Sequence, residues 1–157
     1  FIRTFLYIIN PRLTKTYRNL EHYGNPEKIL NDVEKQIRRR ILLQTKTLIL
    51  TPRYLVELSD DICAIIPLPE VLWIYDHAAM RRTIKGRQLS YTIHVVTMKG
   101  EEYTLTGKLT REVSAIYHEL NTRYPNFFFG YSKEHQEMVQ YVLHEMKTKS
   151  IRNLYIK

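Results

Sequence analysis

Between residues 41 and 108 the sequence alternates short apolar segments with turns, and this pattern restricts the possible folds more than any other feature. Four apolar segments lie in the first part of this region, at 48–50, 54–58, 62–68 and 71–75. Residues 91–96 then alternate apolar and polar side chains, and Lys99-Gly100 forms a turn before Tyr103 and Leu105. About six short strands at such close spacing predict an antiparallel meander or a small barrel.

A helix is predicted before these strands. Asn25-Pro26-Glu27 is typical of a helix start, because Asn caps the first turn, Pro fits its first position and an acid favours the positive end of the helix dipole. Ile29, Val33 and Ile37 fall on one helical face. The cluster at 38–40 is basic, which favours the end of a helix there.

Two further helices are predicted after the strands. Thr110 is interpreted as the cap of the first and Ser132 as the cap of the second. The segment Phe127-Phe128-Phe129 between them is predicted to be a connector or a short strand. In the second helix five apolar residues are expected to face inward, namely Met138, Val139, Val142, Leu143 and Met146.

The predicted fold class is therefore α+β, a small antiparallel β-barrel or meander with an N-terminal helix and two C-terminal helices. Residues 1–40 are interpreted as a basic N-terminal arm and helix, and residues 41–147 as the barrel domain with its C-terminal helices. Residues 148–157 are interpreted as a basic tail. A chain of 157 residues is long enough for one hydrophobic core of adequate size.

The net charge of +8 is unevenly distributed. Residues 1–40 carry nine basic and four acidic side chains, and residues 147–157 carry four basic side chains and no acid. The part between them carries 11 basic and 12 acidic side chains, so both ends are basic while the middle is nearly neutral. Basic ends suit contact with an anionic surface, either a membrane or a nucleic acid, although plain solubility explains them equally well.

Motifs of catalysis do not appear in the sequence. A zinc-protease motif would need a second His at Thr122 or Thr148, and a phosphate-binding loop would need Gly at Glu102. The single cysteine, Cys63, can form no internal disulfide. We therefore predict no catalytic residues, no metal site and no cofactor.

The best candidate site is a basic segment predicted to be a loop at 80–87. Arg81, Arg82, Lys85 and Arg87 place four cations within seven residues, and Gly86 adds flexibility. Such a loop is suited to phosphate groups, with each cation contributing about 1 kcal/mol beside an anionic membrane. Solvated surface charge is the alternative interpretation.

Aromatic residues provide a second candidate surface. Trp73 is interpreted as a core anchor, because aromatic side chains in strands bury well. In the segment 127–129, alternation would place Phe127 and Phe129 on one face and Phe128 on the other. If the face bearing Phe127 and Phe129 is exposed, it would be a surface for an unknown protein partner.

Several short runs resemble a family of uncharacterised bacterial membrane-anchored proteins with a cytoplasmic pleckstrin-homology-like domain. They include residues 9–11, 23–27, 50–51, 66–68, 71–75 and 130–132. The resemblance implies a PH-like β-barrel, a membrane anchor upstream of residue 1 and no assigned catalytic residue. Because the first residue is Phe1 rather than Met, an anchor preceding this chain is also expected on that ground.

Three functions remain as hypotheses. The first is a non-catalytic binding or scaffolding domain on the cytoplasmic side of the membrane, which recruits a protein partner or an anionic headgroup. The second is a nucleic-acid-associated protein that uses its basic termini, and the third is an enzyme of unrecognised class. The sequence leaves the oligomeric state open.

Overall fold

The computed structural model describes residues 15–59 and 63–155. Residues 1–14 of the predicted N-terminal arm and helix, Ile62 of the predicted strand 62–68, and the last two residues of the predicted tail lie outside the described residues. The chain forms two compact units, one ending at Glu70 and the other beginning at Val71. The boundaries predicted at residues 40 and 147 differ from this division.

The first unit contains two helices and a four-stranded antiparallel sheet. The helices are α1 (Lys15–Glu21) and α2 (Pro26–Arg39). The strands are β1 (Leu43–Gln44), β2 (Leu48–Leu50), β3 (Tyr54–Leu58) and β4 (Cys63–Pro67), and a short 3-10 turn (Leu68–Glu70) follows them. The strands pair in chain order, β1-β2-β3-β4, so the predicted meander of about six strands is present here only for its first three segments.

Helix α2 begins and ends where the sequence predicts. The Asn25 side chain accepts a hydrogen bond from the backbone N–H of Lys28 (3.1 Å), and this bond satisfies one free donor of the first turn. Val33 is buried on the inner face of α2, where it packs in one cluster with Val56 and Ile65 of the sheet. The first unit therefore has an apolar core of its own.

The second unit contains a second four-stranded sheet and two helices. Its elements are β5 (Val71–Thr83), β6 (Gly86–Thr97), β7 (Glu102–Lys108), α3 (Thr110–Arg123), β8 (Phe128–Phe129) and α4 (Lys133–Tyr155). The sheet order is β7-β6-β5-β8. Strands β5, β6 and β7 are antiparallel, whereas β8 pairs parallel to β5.

Each face of this second sheet has a helix against it. Ile74 and its partner Val95 lie on the face toward α3, whose Ile116 is fully buried. On the opposite face Trp73 and Val139 of α4 belong to one apolar cluster. The helices cover the part of β5 and β6 next to β7 and β8, and leave the far end of these two strands uncovered.

The predicted barrel is not closed, and residues 15–59 and 63–155 form a mixed α and β arrangement of two separate four-stranded sheets and four helices. The change of sheet occurs at the segment Pro67–Glu70. Pro67 still pairs with Tyr54, and the Leu68 N–H donates to the Arg53 carbonyl (2.8 Å). The β3–β4 pairing ends there, because the chain enters the 3-10 turn that contains Pro69, which has no N–H group to donate. After this turn β5 pairs with β6 and β8 rather than with β4.

Three local predictions differ from the structure. The predicted loop 80–87 is instead a tight hairpin, since β5 runs to Thr83 and β6 begins at Gly86. Met138 and Met146 were expected to face inward but are 45% and 40% exposed. Helix α4 also continues to Tyr155, so most of the predicted tail is helical. Val139 of this helix is buried in the Trp73 cluster, whereas Met138, one position earlier, lies on a different side of the helix and stays accessible.

Helix α4 has 23 residues, but neither it nor any other helix in the described ranges combines the length and the apolar character that crossing a membrane requires.

Candidate functional site

Strands β5 and β6 extend beyond the rest of the sheet as a two-stranded hairpin arm, which we define as residues 79–90. The last pairing of β6 with β7 joins Tyr91 to Lys108, so β7 gives no support farther out. Residues 79–89 are all exposed. The arm is held by its own ladder, which pairs β5 and β6 without interruption from Trp73 to the turn.

The tip of the arm is a turn at Ile84-Lys85. Gly86 follows with φ +114°, a conformation that side-chain-bearing residues rarely adopt, and this explains why glycine occurs there. The Thr83 hydroxyl donates a hydrogen bond to the Gly86 carbonyl (2.9 Å) across the turn. Gly86, which we expected to give the segment flexibility, instead helps to close a defined hairpin.

The register of β5 and β6 shows where the four predicted cations lie on the arm. Arg82 lies directly opposite Arg87, on one face of the arm, whereas Arg81 lies opposite Gln88 on the other face. Lys85 is in the turn. The structure therefore brings all four predicted residues to the outer end of one hairpin.

Two like charges directly opposite each other destabilise an antiparallel pair. No acidic residue occurs between His77 and Gly100, so the arm has no carboxylate of its own to offset Arg82 and Arg87. Within the described parts of the chain, none of the four cations forms an ion pair. This arrangement disfavours the folding of the hairpin. It favours the binding of an external anion, which would neutralise the charges of Arg82 and Arg87.

Three exposed apolar side chains accompany the cations, and the sequence analysis missed them. Ile84 at the tip is 108% exposed, Met80 is 62% exposed and Leu89 is 40% exposed. Met80 and Leu89 are cross-strand partners, and they lie on the same face as Arg82 and Arg87. A two-residue turn at 84–85 would have predicted the Met80–Leu89 pair from the sequence, because such a turn places residue 80 opposite residue 89.

At its base the arm is held by a group of stacked rings on the face that carries Trp73. Tyr75 stacks on His94 with ring centroids 4.7 Å apart, and His94 stacks on His77 at 5.0 Å. Trp73 lies 4.2 Å from Tyr75, and Tyr131 lies 5.9 Å from Trp73. These contacts join β5, β6 and the segment before α4.

Glu102 of β7 connects the same rings by hydrogen bonds. Its Oε1 accepts from the Tyr75 hydroxyl (3.1 Å) and lies 3.1 Å from His94 Nδ1, while His94 Nε2 lies 3.0 Å from His77 Nδ1. Burial, together with the Glu102 carboxylate, raises the pKa of Tyr75 to about 12, so this hydroxyl stays a donor at neutral pH. A carboxylate and two imidazoles in series can pass a proton, but the rings also fasten three strands at the base of the arm.

The other face of the base is fixed by a second polar contact. The Tyr117 hydroxyl of α3 donates to Asp76 Oδ1 of β5 at 2.5 Å. Burial is the main cause that raises the pKa of Tyr117, and Asp76 adds to it. The base of the arm is thus held on both faces, while residues 79–89 toward its outer end are all exposed.

The second predicted surface, Phe127 and Phe129, is half-buried. Phe127 stacks on Tyr124 with centroids 5.0 Å apart, and Phe129 meets Tyr117 edge to face at 6.0 Å. Phe128 instead joins the cluster of Trp73 on the opposite face, as the alternation predicts. Contacts within the chain therefore bury part of the Phe127 and Phe129 side chains. That these residues bind a protein partner stays a prediction.

Among the residues that the structure describes, no group of three or more His, Cys, Asp or Glu side chains is arranged to hold a metal ion. Comparison of the chain with protein-family models, with curated proteins and with solved structures found no match.

Proposed function

We propose that the chain is a non-catalytic binding module that contacts an anionic membrane surface through the outer end of its hairpin arm. The observation that carries this proposal is the pair Arg82–Arg87, two cations held opposite each other with no acid between His77 and Gly100. Arg81 and Lys85 add two more cations at the same end. Lipid phosphates would supply the missing countercharge.

The cytoplasmic face of the membrane is the location we propose, since anionic lipids are concentrated in that leaflet. A PH-like relationship remains part of the proposal. It is supported by the order of the elements, in which four antiparallel strands are followed by three more and then by α3.

The test is co-sedimentation with vesicles of phosphatidylcholine, with and without phosphatidylserine. We expect the chain to bind the anionic vesicles and to be released by salt, which screens exposed charges. Replacing Arg81, Arg82, Lys85 and Arg87 by Gln removes about 1 kcal/mol per cation near the surface. Affinity should therefore fall by about two to three orders of magnitude.

The matched control removes the same charge from the first unit. Lys28, Lys35, Arg39 and Lys46 are all exposed, and their replacement by Gln also lowers the net charge from +8 to +4. This variant should bind anionic vesicles at most a few-fold more weakly than the unmodified chain. Equal losses in the two variants, or no binding by the unmodified chain at low salt, would contradict the proposed site.

A further inference from the structure

The most exposed apolar side chain of the arm stands at its outermost point. Ile84 is 108% exposed in the turn, where it has no neighbouring element to pack against. A β-branched apolar residue is an uncommon choice for a tight turn, in which Gly, Asn and Asp prevail. Neither folding nor solubility explains Ile84, because a polar residue would fit the same turn with less apolar surface in water.

The cations lie behind Ile84 along the arm, and their spacing from it is fixed by strand geometry. Arg82 lies two residues before Ile84 on β5. Its partner Arg87 directly follows Gly86 on β6. Two residues of strand span about 7 Å. Amphipathic segments at a membrane surface bury their apolar side by about 5–10 Å. A turn that projects by this distance reaches below the headgroups when the arginines are level with the phosphates.

The same face continues toward the base with Met80 and Leu89. The arm therefore carries an apolar tip, then an arginine pair, then an apolar pair on one face. The opposite face carries Ala79, Arg81 and Thr83, whose partners on β6 are Ser90, Gln88 and Gly86. An arm that tilts with the Met80–Leu89 face toward the membrane would keep Ile84 as its deepest point.

We propose that Ile84 inserts into the boundary between headgroups and acyl chains of an anionic bilayer, while Arg82 and Arg87 bind lipid phosphates. This inference rests on the proposed function, and it specifies that the contact is an insertion rather than adsorption by charge alone. The partner is a phospholipid surface, because four unpaired cations around an exposed apolar tip match its anionic headgroups and its apolar interior together.

The test compares the unmodified chain, Ile84→Gln and the matched control Ile151→Gln. Ile151 is another exposed isoleucine (46%), located in α4 rather than in the arm. Two assays are used, namely co-sedimentation with phosphatidylserine vesicles and the rise in surface pressure of a phosphatidylserine monolayer. The pressure rises when side chains enter the lipid layer, whereas charge adsorption on the headgroups leaves it nearly unchanged.

We expect the unmodified chain and Ile151→Gln to raise the surface pressure equally. Ile84→Gln should raise it little, and its vesicle affinity should fall by about tenfold to a hundredfold, because the side chain no longer leaves water. It should keep the salt dependence of the unmodified chain, since all four cations remain. Ile84 is fully exposed, so the substitution leaves the fold intact.

The outcomes separate this inference from the proposed function. If the unmodified chain binds anionic vesicles but does not raise the pressure, or if Ile84→Gln behaves like it in both assays, insertion is wrong and the charge contact stands. If the unmodified chain does not bind anionic vesicles even at low salt, the proposed function is wrong and the insertion is wrong with it.

Discussion

At the scale of single residues, one hydrogen bond links a helix of the first unit to its sheet. The Tyr54 hydroxyl of β3 donates to Asp32 Oδ2 of α2 at 2.7 Å, and Arg53 Nη1 lies 3.5 Å from the same oxygen. Tyr54 is 5% exposed whereas the Asp32 side chain is 34% exposed, so the bond is partly shielded from water. Tyr54→Phe should lower the free energy of unfolding at pH 7 by about 1.5–3 kcal/mol, the range for bonds to charged groups. Urea unfolding measures it.

The same bond predicts a dependence of stability on alkaline pH. Burial and Asp32 raise the pKa of Tyr54 from 10.0 to about 12 in the folded chain. Above pH 10 the unfolded chain loses this proton while the folded chain keeps it, so the free energy of unfolding falls as pH rises toward 12. The stabilisation is complete below pH 10.

Tyr54→Phe is also the control for this pH effect. Its free energy of unfolding should fall less steeply between pH 10 and 12, because the shifted group is gone while the other titrating residues remain. Parallel curves for the two proteins would show that Tyr54 does not titrate with a raised pKa. Tyr75, also raised to about 12, contributes in the same direction and is present in both proteins.

At the scale of the element, the arm combines weak pairing with concentrated charge. Arg87→Glu should convert the like-charged pair Arg82–Arg87 into an ion pair, which favours the hairpin. A gain of about 0.5–1 kcal/mol would slow amide hydrogen exchange at residues 80–89 by about two- to fivefold. Vesicle binding should weaken at the same time, since the net charge falls from +8 to +6 at the site of contact.

Arg81→Glu is the matched control for the arm. It changes the charge equally, but Arg81 faces Gln88, which offers no charge to pair with. This variant should lose vesicle affinity without slower exchange. Unchanged exchange in Arg87→Glu would mean that the two arginines do not repel each other across the strands.

The elements were predictable from the sequence to different degrees. The start of α2 was predicted because Asn25-Pro26 acts locally, and Ser132 likewise bonds the His135 N–H (3.0 Å) before α4. The length of the arm was not predicted. Residues 79–89 lack the alternation of apolar and polar side chains that marks a half-buried strand, because both faces of the arm are exposed to water. The sequence pattern therefore predicted a loop for this segment.

The candidate site was predicted in its charges but not in its geometry. Arg81, Arg82, Lys85 and Arg87 are adjacent in sequence, so their proximity needed no knowledge of the fold. Ile84 was overlooked within the same segment because a lone apolar residue in a turn is ordinary in a sequence, and its full exposure appears only in the structure. The stack of Tyr75, His77 and His94 depends on pairing between strands, which periodicity alone does not give.

At the scale of the whole molecule, two groups of basic residues lie on different elements of the second unit. The arm holds four cations, and the exposed side of α4 holds four others, Lys133, Lys147, Lys149 and Arg152. Nonspecific binding to nucleic acid follows the number of phosphates that such cations neutralise. A binding site for a membrane instead depends on where the cations lie, because a folded unit presents one side at a time to a flat surface.

Because DNA binding depends on the number of cations and membrane binding on their position, charge-matched variants separate the lipid hypothesis from the nucleic-acid hypothesis. Replacing the four α4 cations by Gln gives the same net charge, +4, as replacing the four cations of the arm. Vesicle binding should survive in the α4 variant and be lost in the arm variant. DNA binding is measured by fluorescence anisotropy with a labelled duplex at low salt. Both variants should bind DNA more weakly than the unmodified chain and to the same extent, and the affinity of each should depend less steeply on salt concentration. A selective loss of DNA binding in the α4 variant, with equal vesicle binding in both, would instead make the basic C-terminal end the functional surface.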